Sequence, residues 1–141
     1  MPIHLAETEE DLRRTFPVMA QLRPHLNLSD YVAQGARQRE HVGFRIAFLE
    51  EGGTVRAVAG FRIQEMLFCG KHLYVDDLVT DESARSKGHG RQLFSWLADL
   101  ARREGCCELQ LDSGVQRFSA HRFYFREGMH ISSYHFRIKL A

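Results

Sequence analysis

The 141-residue sequence lacks an apolar run of the length needed to cross a bilayer, which is about 20 residues. Residues 1–7 also lack the basic start and the apolar core of a secretory signal peptide. These two absences disfavour membrane-spanning and secreted proteins. We therefore expect a cytoplasmic protein with no membrane partner.

Cysteine is scarce, with only Cys69, Cys106 and Cys107 in the chain. The odd number and the adjacent pair disfavour a disulfide framework, which agrees with a reducing compartment. The histidines and cysteines also lack the spacing of zinc ligands. We expect no metal site.

A surplus of charge is absent as well, since 19 basic residues stand against 18 acidic ones for a net charge of +1. This balance disfavours nucleic acid or an anionic membrane as a partner, and any anion site must be local. The hydrophobic content of 44% is typical of a globular protein. With no repeat, low-complexity segment or linker, residues 1–141 are expected to form a single domain.

The first part of the chain predicts a short strand and two helices. Residues 3–7 fit a strand, and Thr8 fits a helix N-cap. Pro17 interrupts the helical pattern that follows, so we expect a kink or a break into two short pieces that end before Pro24. Ser29 is a second candidate N-cap, for a helix that reaches about residue 40.

From Phe44 the hydrophobic period changes to two, which is typical of strands. Residues 51–54 form a glycine-rich turn between the first two strands, and residues 68–71 form the next turn. Three consecutive strands that end near residue 80 predict an antiparallel meander.

The second part predicts alternating helices and strands. Apolar residues at i, i+4 and i+7 indicate a helix over residues 92–104 with Gly105 at its C-terminus. A strand over 107–112, a helix over 116–127 and an alternating strand over 131–140 follow. The order predicts an α/β (α+β) fold with a mixed, mostly antiparallel sheet of about six to seven strands and about four helices on both faces.

A basic, glycine-containing turn joins the meander to the helix over 92–104. This glycine turn consists of Arg85, Ser86, Lys87, Gly88, His89, Gly90 and Arg91. Backbone N–H groups and the positive end of a helix dipole meet there, an arrangement that binds phosphate or pyrophosphate. The alternative is a solvated basic turn. His89 is expected to fill a variable loop position rather than to act as a base.

The sequence Arg85-Ser86-Lys87-Gly88-His89-Gly90 resembles the Arg/Gln-x-x-Gly-x-Gly/Ala signature of the GNAT superfamily of acyl-CoA-dependent N-acyltransferases. Residues 120–129 resemble that family's second block, Ala-x-x-Phe/Leu-Tyr-x-x-x-Gly-Phe. The element order agrees over nearly the whole chain. Two departures are Arg117, where the family often has Asn, and Met129 in place of Phe.

The resemblance implies a GNAT-like fold with acetyl-CoA (coenzyme A) as the acyl-donor co-substrate. It places the pyrophosphate on the glycine turn and the pantetheine arm along the backbone of Leu78, Val79 and Thr80. It also implies that Tyr124 is the general acid beside the cofactor sulfur. The alternative for Tyr124 is an aromatic core residue.

The general base is left open among three carboxylates, namely Asp76, Asp77 and, through a water, Glu65. Strict alternation puts Asp76 and Asp77 on opposite faces of a strand unless a bulge re-aims one of them. The alternative is that one carboxylate pairs with a basic neighbour and the other is solvated.

These observations predict an N-acetyltransferase that acts on a primary amine of a small molecule or peptide by direct attack. Acidic side chains favour a cationic amine, and residues 23–27 are expected to line its pocket. The alternative is a catalytically silent acyl-CoA-binding or regulatory module. The alternating segment over 131–140 is compatible with a homodimer.

Overall fold

The structure is a computed structural model that describes residues 2–141. The elements are β1 (Ile3–Leu5), α1 (Glu9–Leu22), α2 (Leu28–Val42), β2 (Arg45–Glu51), β3 (Thr54–Met66), β4 (Gly70–Thr80), a short 3₁₀ helix (Glu82–Ala84), α3 (His89–Arg103), β5 (Glu108–Leu111) and α4 (Phe118–Arg126). The contacts divide the chain into two compact units, Met1–Gln110 and Leu111–Ala141. In the described part of the chain, no helix combines the length and the apolar character that crossing a bilayer requires.

The sheet has the order β1-β2-β3-β4-β5, and β1 to β4 pair in antiparallel fashion. Between β2 and β3, Gly52 and Gly53 both have positive φ, as a tight two-residue hairpin turn requires. The predicted meander is confirmed. The sheet as a whole is mixed.

Helix α1 begins as predicted, because Thr8 and Asp11 form a reciprocal capping box. Of the kink or break predicted at Pro17, the break is wrong, since α1 is one helix with Pro17 inside it. Proline removes one helical hydrogen bond. Burial of its neighbours Val18 and Met19 in the core offsets that loss.

Helix α2 begins two residues earlier than predicted. Its N-cap is Asn27, whose side chain accepts a hydrogen bond from the Asp30 N–H at 2.8 Å, and Ser29 lies inside the helix. Both residue types cap helices well, so the sequence alone did not separate them. At its end, Gly43 has φ +68° and closes the helix with a bond to Arg39 O.

Both faces of the sheet are covered. Ile46 and Phe48 of β2 are buried in a cluster with side chains of α1 and α2. Their neighbours Ala47 and Leu49 point to the opposite face and are also buried. Helix α3 contacts β2, β3 and β4 through an apolar stripe. The expected helices on both faces are therefore confirmed.

In the second unit, Gly128 follows α4 with φ +90°, as predicted for a helix end. The strand predicted over residues 131–140 is wrong, because the structure assigns no strand there and Phe136 is 91% exposed. Alternation of apolar and polar residues indicates that a segment can form a half-buried strand. A strand also needs a neighbouring strand that pairs with its backbone N–H and C=O groups. The sheet consequently has five strands rather than six or seven.

Candidate functional site

The glycine turn is held in an unusual backbone conformation. Ser86 has φ +67° and Gly88 has φ +82°, both in the left-handed region. This region costs an ordinary residue about 1–2 kcal/mol and glycine almost nothing. Gly88 is also the N-cap of α3, so it directs the chain into the helix.

The N-terminus of α3 has no side-chain cap. Gly88 supplies no side-chain cap, and the first turn of α3 contains no acidic residue. In α1, by contrast, a capping box and three acidic residues occupy the corresponding positions. A Cβ atom at Gly88 would meet nothing within 4 Å, so the approach is open. Arg85 and Lys87 are exposed beside it.

His89 is not the variable loop position considered above. It is the first residue of α3 and is only 2% exposed. Its Nε2 atom lies 3.6 Å from Glu51 Oε2, and its buried Nδ1 has no hydrogen-bond partner in the described part of the chain. No local sequence pattern indicates this long-range contact.

The two ends of the segment that carries the glycine turn are held by the same hairpin. Arg56 of β3 lies 3.9 Å from Glu51, the carboxylate beside His89, and 4.0 Å from Asp81, which follows β4. The Asp81 N–H also donates to Arg56 O at 2.8 Å. These contacts fix where the chain leaves β4 and where α3 begins.

One edge of β4 lacks a strand partner near the glycine turn. On the β3 side, Leu78, Val79 and Thr80 pair with Ala59, Val58 and Ala57. On the other side, β5 has four residues, about 13 Å of strand, and Cys107 just before it bonds Lys71 O at 2.8 Å. Strand β5 is therefore too short to reach Leu78, so this edge of β4 has no strand partner at that position in the described part of the chain.

A bulge separates the two carboxylates of β4. Gly60 of β3 pairs with Asp77, whereas the next residue, Phe61, pairs with Val75. Asp76 is thus the extra residue, and the bulge considered from the sequence is present at this position. Both Asp76 and Asp77 line one cavity of about 320 Å³.

Each of these carboxylates has an arginine partner. Asp77 Oδ1 accepts from Arg23 Nε at 2.9 Å, and Asp76 Oδ1 accepts from Arg62 Nη2 at 2.9 Å. Burial raises the pKa of both Asp76 and Asp77, and the two arginines oppose that rise. Neither is the solvated carboxylate of the alternative interpretation.

Glu65 lies away from this pair. It is exposed on β3 and pairs in register with Lys71. Five residues of strand separate it from Gly60, the partner of Asp77, which corresponds to roughly 17 Å. The structure does not bring Glu65 to the other two carboxylates.

The cavity is completed by the end of α1 and by α2. Arg23, His25 and Leu26 line it, so part of residues 23–27 forms a wall of this cavity. Tyr31 also lines it and shares a 2.8 Å hydrogen bond with buried Thr15. Burial raises the pKa of Tyr31 to about 12, so this phenol is neutral at ordinary pH. Sequence reasoning did not single out Tyr31.

Tyr124 lies on α4 in the second unit. Its ring packs edge-on against Phe123 with centroids 5.6 Å apart, and its backbone O accepts from the Met129 N–H at 3.0 Å. Burial raises the pKa of Tyr124, and the charge of Arg117 opposes the rise. The phenol therefore holds its proton at neutral pH, as a general acid must.

Comparisons with known proteins agree with the family resemblance found in the sequence. A family model described as "Acetyltransferase (GNAT) family" matches residues 5–129. A Bacillus subtilis (strain 168) protein described as the uncharacterized N-acetyltransferase YhdJ is 34% identical over 138 residues, covering 96% of this chain and 97% of the relative. An aminoalkylphosphonate N-acetyltransferase of Salmonella typhimurium is 37% identical over 67 residues, which cover 48% of this chain and 42% of the relative.

A solved structure, that of aminoglycoside N-acetyltransferase AAC(6')-Iy in complex with CoA, superposes with a TM-score of 0.83 at 15% identity. The match covers 99% of this chain and 96% of that one. At this identity the likeness concerns the fold alone.

Proposed function

The chain belongs to the GNAT family of acetyltransferases, and we propose that it transfers the acetyl group of acetyl-CoA to a primary amine. The observation that carries the proposal is the layout of β4. This one strand has carboxylates at its bulge, an unpaired edge at Leu78, Val79 and Thr80, and the glycine turn after its end. Donor and acceptor can thus meet along a single strand.

The donor is proposed to bind from the turn toward the bulge. The pyrophosphate lies on the N–H groups at the start of α3, with Arg85 and Lys87 beside it. The amide groups of the pantetheine arm pair with the free edge of β4 at residues 78–80. This direction carries the thioester toward Asp77 and Asp76, which precede those residues on the strand.

The reaction is proposed to proceed by direct attack. The neutral amine attacks the thioester carbonyl carbon, the new C–N bond forms and the C–S bond breaks. One proton leaves the amine for Asp76 or Asp77, and the departing thiolate takes a proton from Tyr124. The raised pKa values of Asp76 and Asp77 suit the role of a base. Glu65 is a weaker base candidate because of its distance.

Tyr124 as the acid is tested by Tyr124→Phe, which removes the proton and keeps the ring. Turnover should fall by a factor of about 10² or more, while acetyl-CoA affinity in isothermal titration stays nearly unchanged. Tyr134→Phe, in the same unit and exposed, is the control. Unchanged turnover in Tyr124→Phe would remove Tyr124 as the acid. We propose that residues 1–141 act as one catalytic domain.

One observation favours the second candidate function, a silent acyl-CoA-binding module. Both carboxylates are paired with arginines, as expected of groups that only support structure. Such a module would bind acetyl-CoA in the titration but release no thiol with any amine or peptide. No binding at high micromolar concentration would contradict both candidates.

We also propose that residues 131–140 pair with a second copy of the chain. This C-terminal segment alternates apolar and polar side chains. Its large apolar members are more than 70% exposed, namely Ile131, Tyr134, Phe136, Ile138 and Leu140. An extended segment with unpaired backbone groups and one apolar face is a template for strand pairing. The basic residues Arg137 and Lys139 on its other face would meet acidic residues such as Glu108 of β5, an edge strand.

A further inference from the structure

Arg23 uses only part of its guanidinium group for contacts within the protein. Its Nε donates to Asp77 Oδ1 at 2.9 Å, and its Nη2 donates to the backbone O of Asp76 at 3.0 Å. A guanidinium carries five N–H donors. Among residues 2–141 the structure gives this side chain no other partner. Because Arg23 lines the cavity and is 39% exposed, three donors remain for a molecule bound there.

The charges around the cavity are balanced rather than acidic. The two carboxylates, Asp76 and Asp77, are each matched by one arginine at 2.9 Å. The two arginines therefore reduce the attraction of the carboxylates for a simple cationic amine, which is the acceptor that the acidic side chains in the sequence favour. A molecule with both an amine and an acidic group gains at both ends, since guanidinium donors bind an acid strongly.

The wall formed by α1 and α2 is rich in hydrogen-bond donors. Gln34 and Gln38 line the cavity on α2, and the Gln34 Nε2 donates to Gln38 Oε1 at 3.0 Å. That bond uses the acceptor of Gln38 and leaves its amide N–H groups available. The β4 wall carries the carboxylate acceptors. The cavity is thus divided into a donor side and an acceptor side.

We propose that the acceptor is a small amine that also carries an acidic group, and that Arg23 binds this group. The acid is a carboxylate, a phosphonate or a phosphate, and the amine lies beside Asp76 and Asp77. This inference rests on the acetyltransferase function proposed above. The cavity holds roughly ten liquid waters by volume, which suits a small molecule.

The first experiment compares matched acceptors by thiol release from acetyl-CoA. Amino carboxylates and amino phosphonates are each paired with a neutral amide or ester derivative that keeps the amine. The kcat/KM value should be at least about tenfold higher for the acidic member of a pair. The carboxylate and phosphonate series show which acid is preferred. Equal or better use of the neutral members would overturn the inference.

The second experiment uses Arg23→Gln with Arg13→Gln as its control. Arg13 lies on α1, the helix that Arg23 follows, and it pairs with exposed Glu9. Arg23→Gln should abolish the preference for the acidic member, whereas Arg13→Gln should keep it. Because the measured quantity is a ratio between two acceptors, a general loss of activity in Arg23→Gln cancels. A preference that persists in Arg23→Gln would contradict the role of Arg23.

The outcomes separate this inference from the proposed function. Acetylation of neutral and acidic amines at equal rates would leave the acetyltransferase function standing and remove only the acidic acceptor. Failure to acetylate any amine would contradict the acetyltransferase function itself, and the inference would fall with it.

Discussion

Gly60 of β3 and Asp77 of β4 are paired in register, and the missing side chain of Gly60 makes room for the carboxylate. A Cβ atom on Gly60 would lie 2.5 Å from Asp77 Oδ2 and 2.6 Å from Cζ of Phe44. Real Cβ atoms do not approach other atoms so closely. The position of a candidate catalytic group is therefore set by the residue opposite it.

Gly60→Ala should both destabilise the protein and lower its activity. The added methyl must displace Asp77 or the buried Phe44 ring, which costs about 1–3 kcal/mol for overpacking. Urea denaturation measures the loss of stability, and thiol release measures the loss of turnover. Gly35→Ala on α2 is the control for stability, since its Cβ meets nothing within 4 Å. That variant should gain about 0.5–1 kcal/mol.

The pH dependence of kcat/KM should show an acid limb displaced toward neutral pH. The base acts when it is deprotonated, and burial raises the pKa of Asp76 and Asp77. As pH falls through that raised pKa, the base takes up a proton and activity is lost. Two acceptors with different amine pKa values separate this limb from ionisation of the substrate.

The same measurement identifies the base. If Asp77 is the base, Asp77→Asn should remove the acid limb and Asp76→Asn should retain it. If Asp76 is the base, the two results should be exchanged. An acid limb that survives in both variants would exclude both carboxylates as the base.

Gly88→Ala tests the glycine turn, with Gly105→Ala as a matched control. The two glycines flank α3 at its two ends, have φ values of +82° and +79°, and have open space around a Cβ atom. Each variant should lose about 1–2 kcal/mol of stability through backbone strain. Only Gly88→Ala should also weaken acetyl-CoA binding in isothermal titration. An equal effect of both variants on affinity would show that the turn does not bind the donor.

The C-terminal segment is tested by Phe136→Asp. Phe136 is 91% exposed, so its replacement costs a single chain little stability. If the segment pairs with a second copy, light scattering should find a dimer for the natural sequence and a shift to monomer for the variant. Leu67→Asp, at an equally exposed apolar site in the β3–β4 turn, is the control. A natural sequence that is monomeric at high micromolar concentration would contradict the pairing.

The sequence predicted the elements whose signals are local. The capping box at Thr8, the two-glycine turn and the stripe of α3 each depend on residues close in the chain. Predictions from the sequence were wrong where contacts between distant residues decide the secondary structure. Burial of Val18 and Met19 keeps α1 continuous through Pro17, and the segment over 131–140 lacks the neighbour that a strand requires.

In the candidate site, too, the sequence predicted the features with local signals and missed those that depend on distant contacts. The glycine turn was visible because glycines, basic residues and a following helix are consecutive. The pairing of Asp77 with Arg23 spans 54 positions, and that of Asp76 with Arg62 spans 14, so composition revealed neither. The two arginine partners change the chemistry of the site. They balance the charges of the two carboxylates, and Arg23 keeps N–H donors for a bound molecule.

The proposed acetyltransferase function is tested most directly by acetyl-CoA-dependent thiol release by the full chain with a panel of primary amines, followed by mass spectrometry of the products. We expect thiol release that depends on the amine, a product heavier by one acetyl group, and loss of both signals in Gly88→Ala at low acetyl-CoA. Tight binding of acetyl-CoA with no acetylated amine across the panel would contradict it.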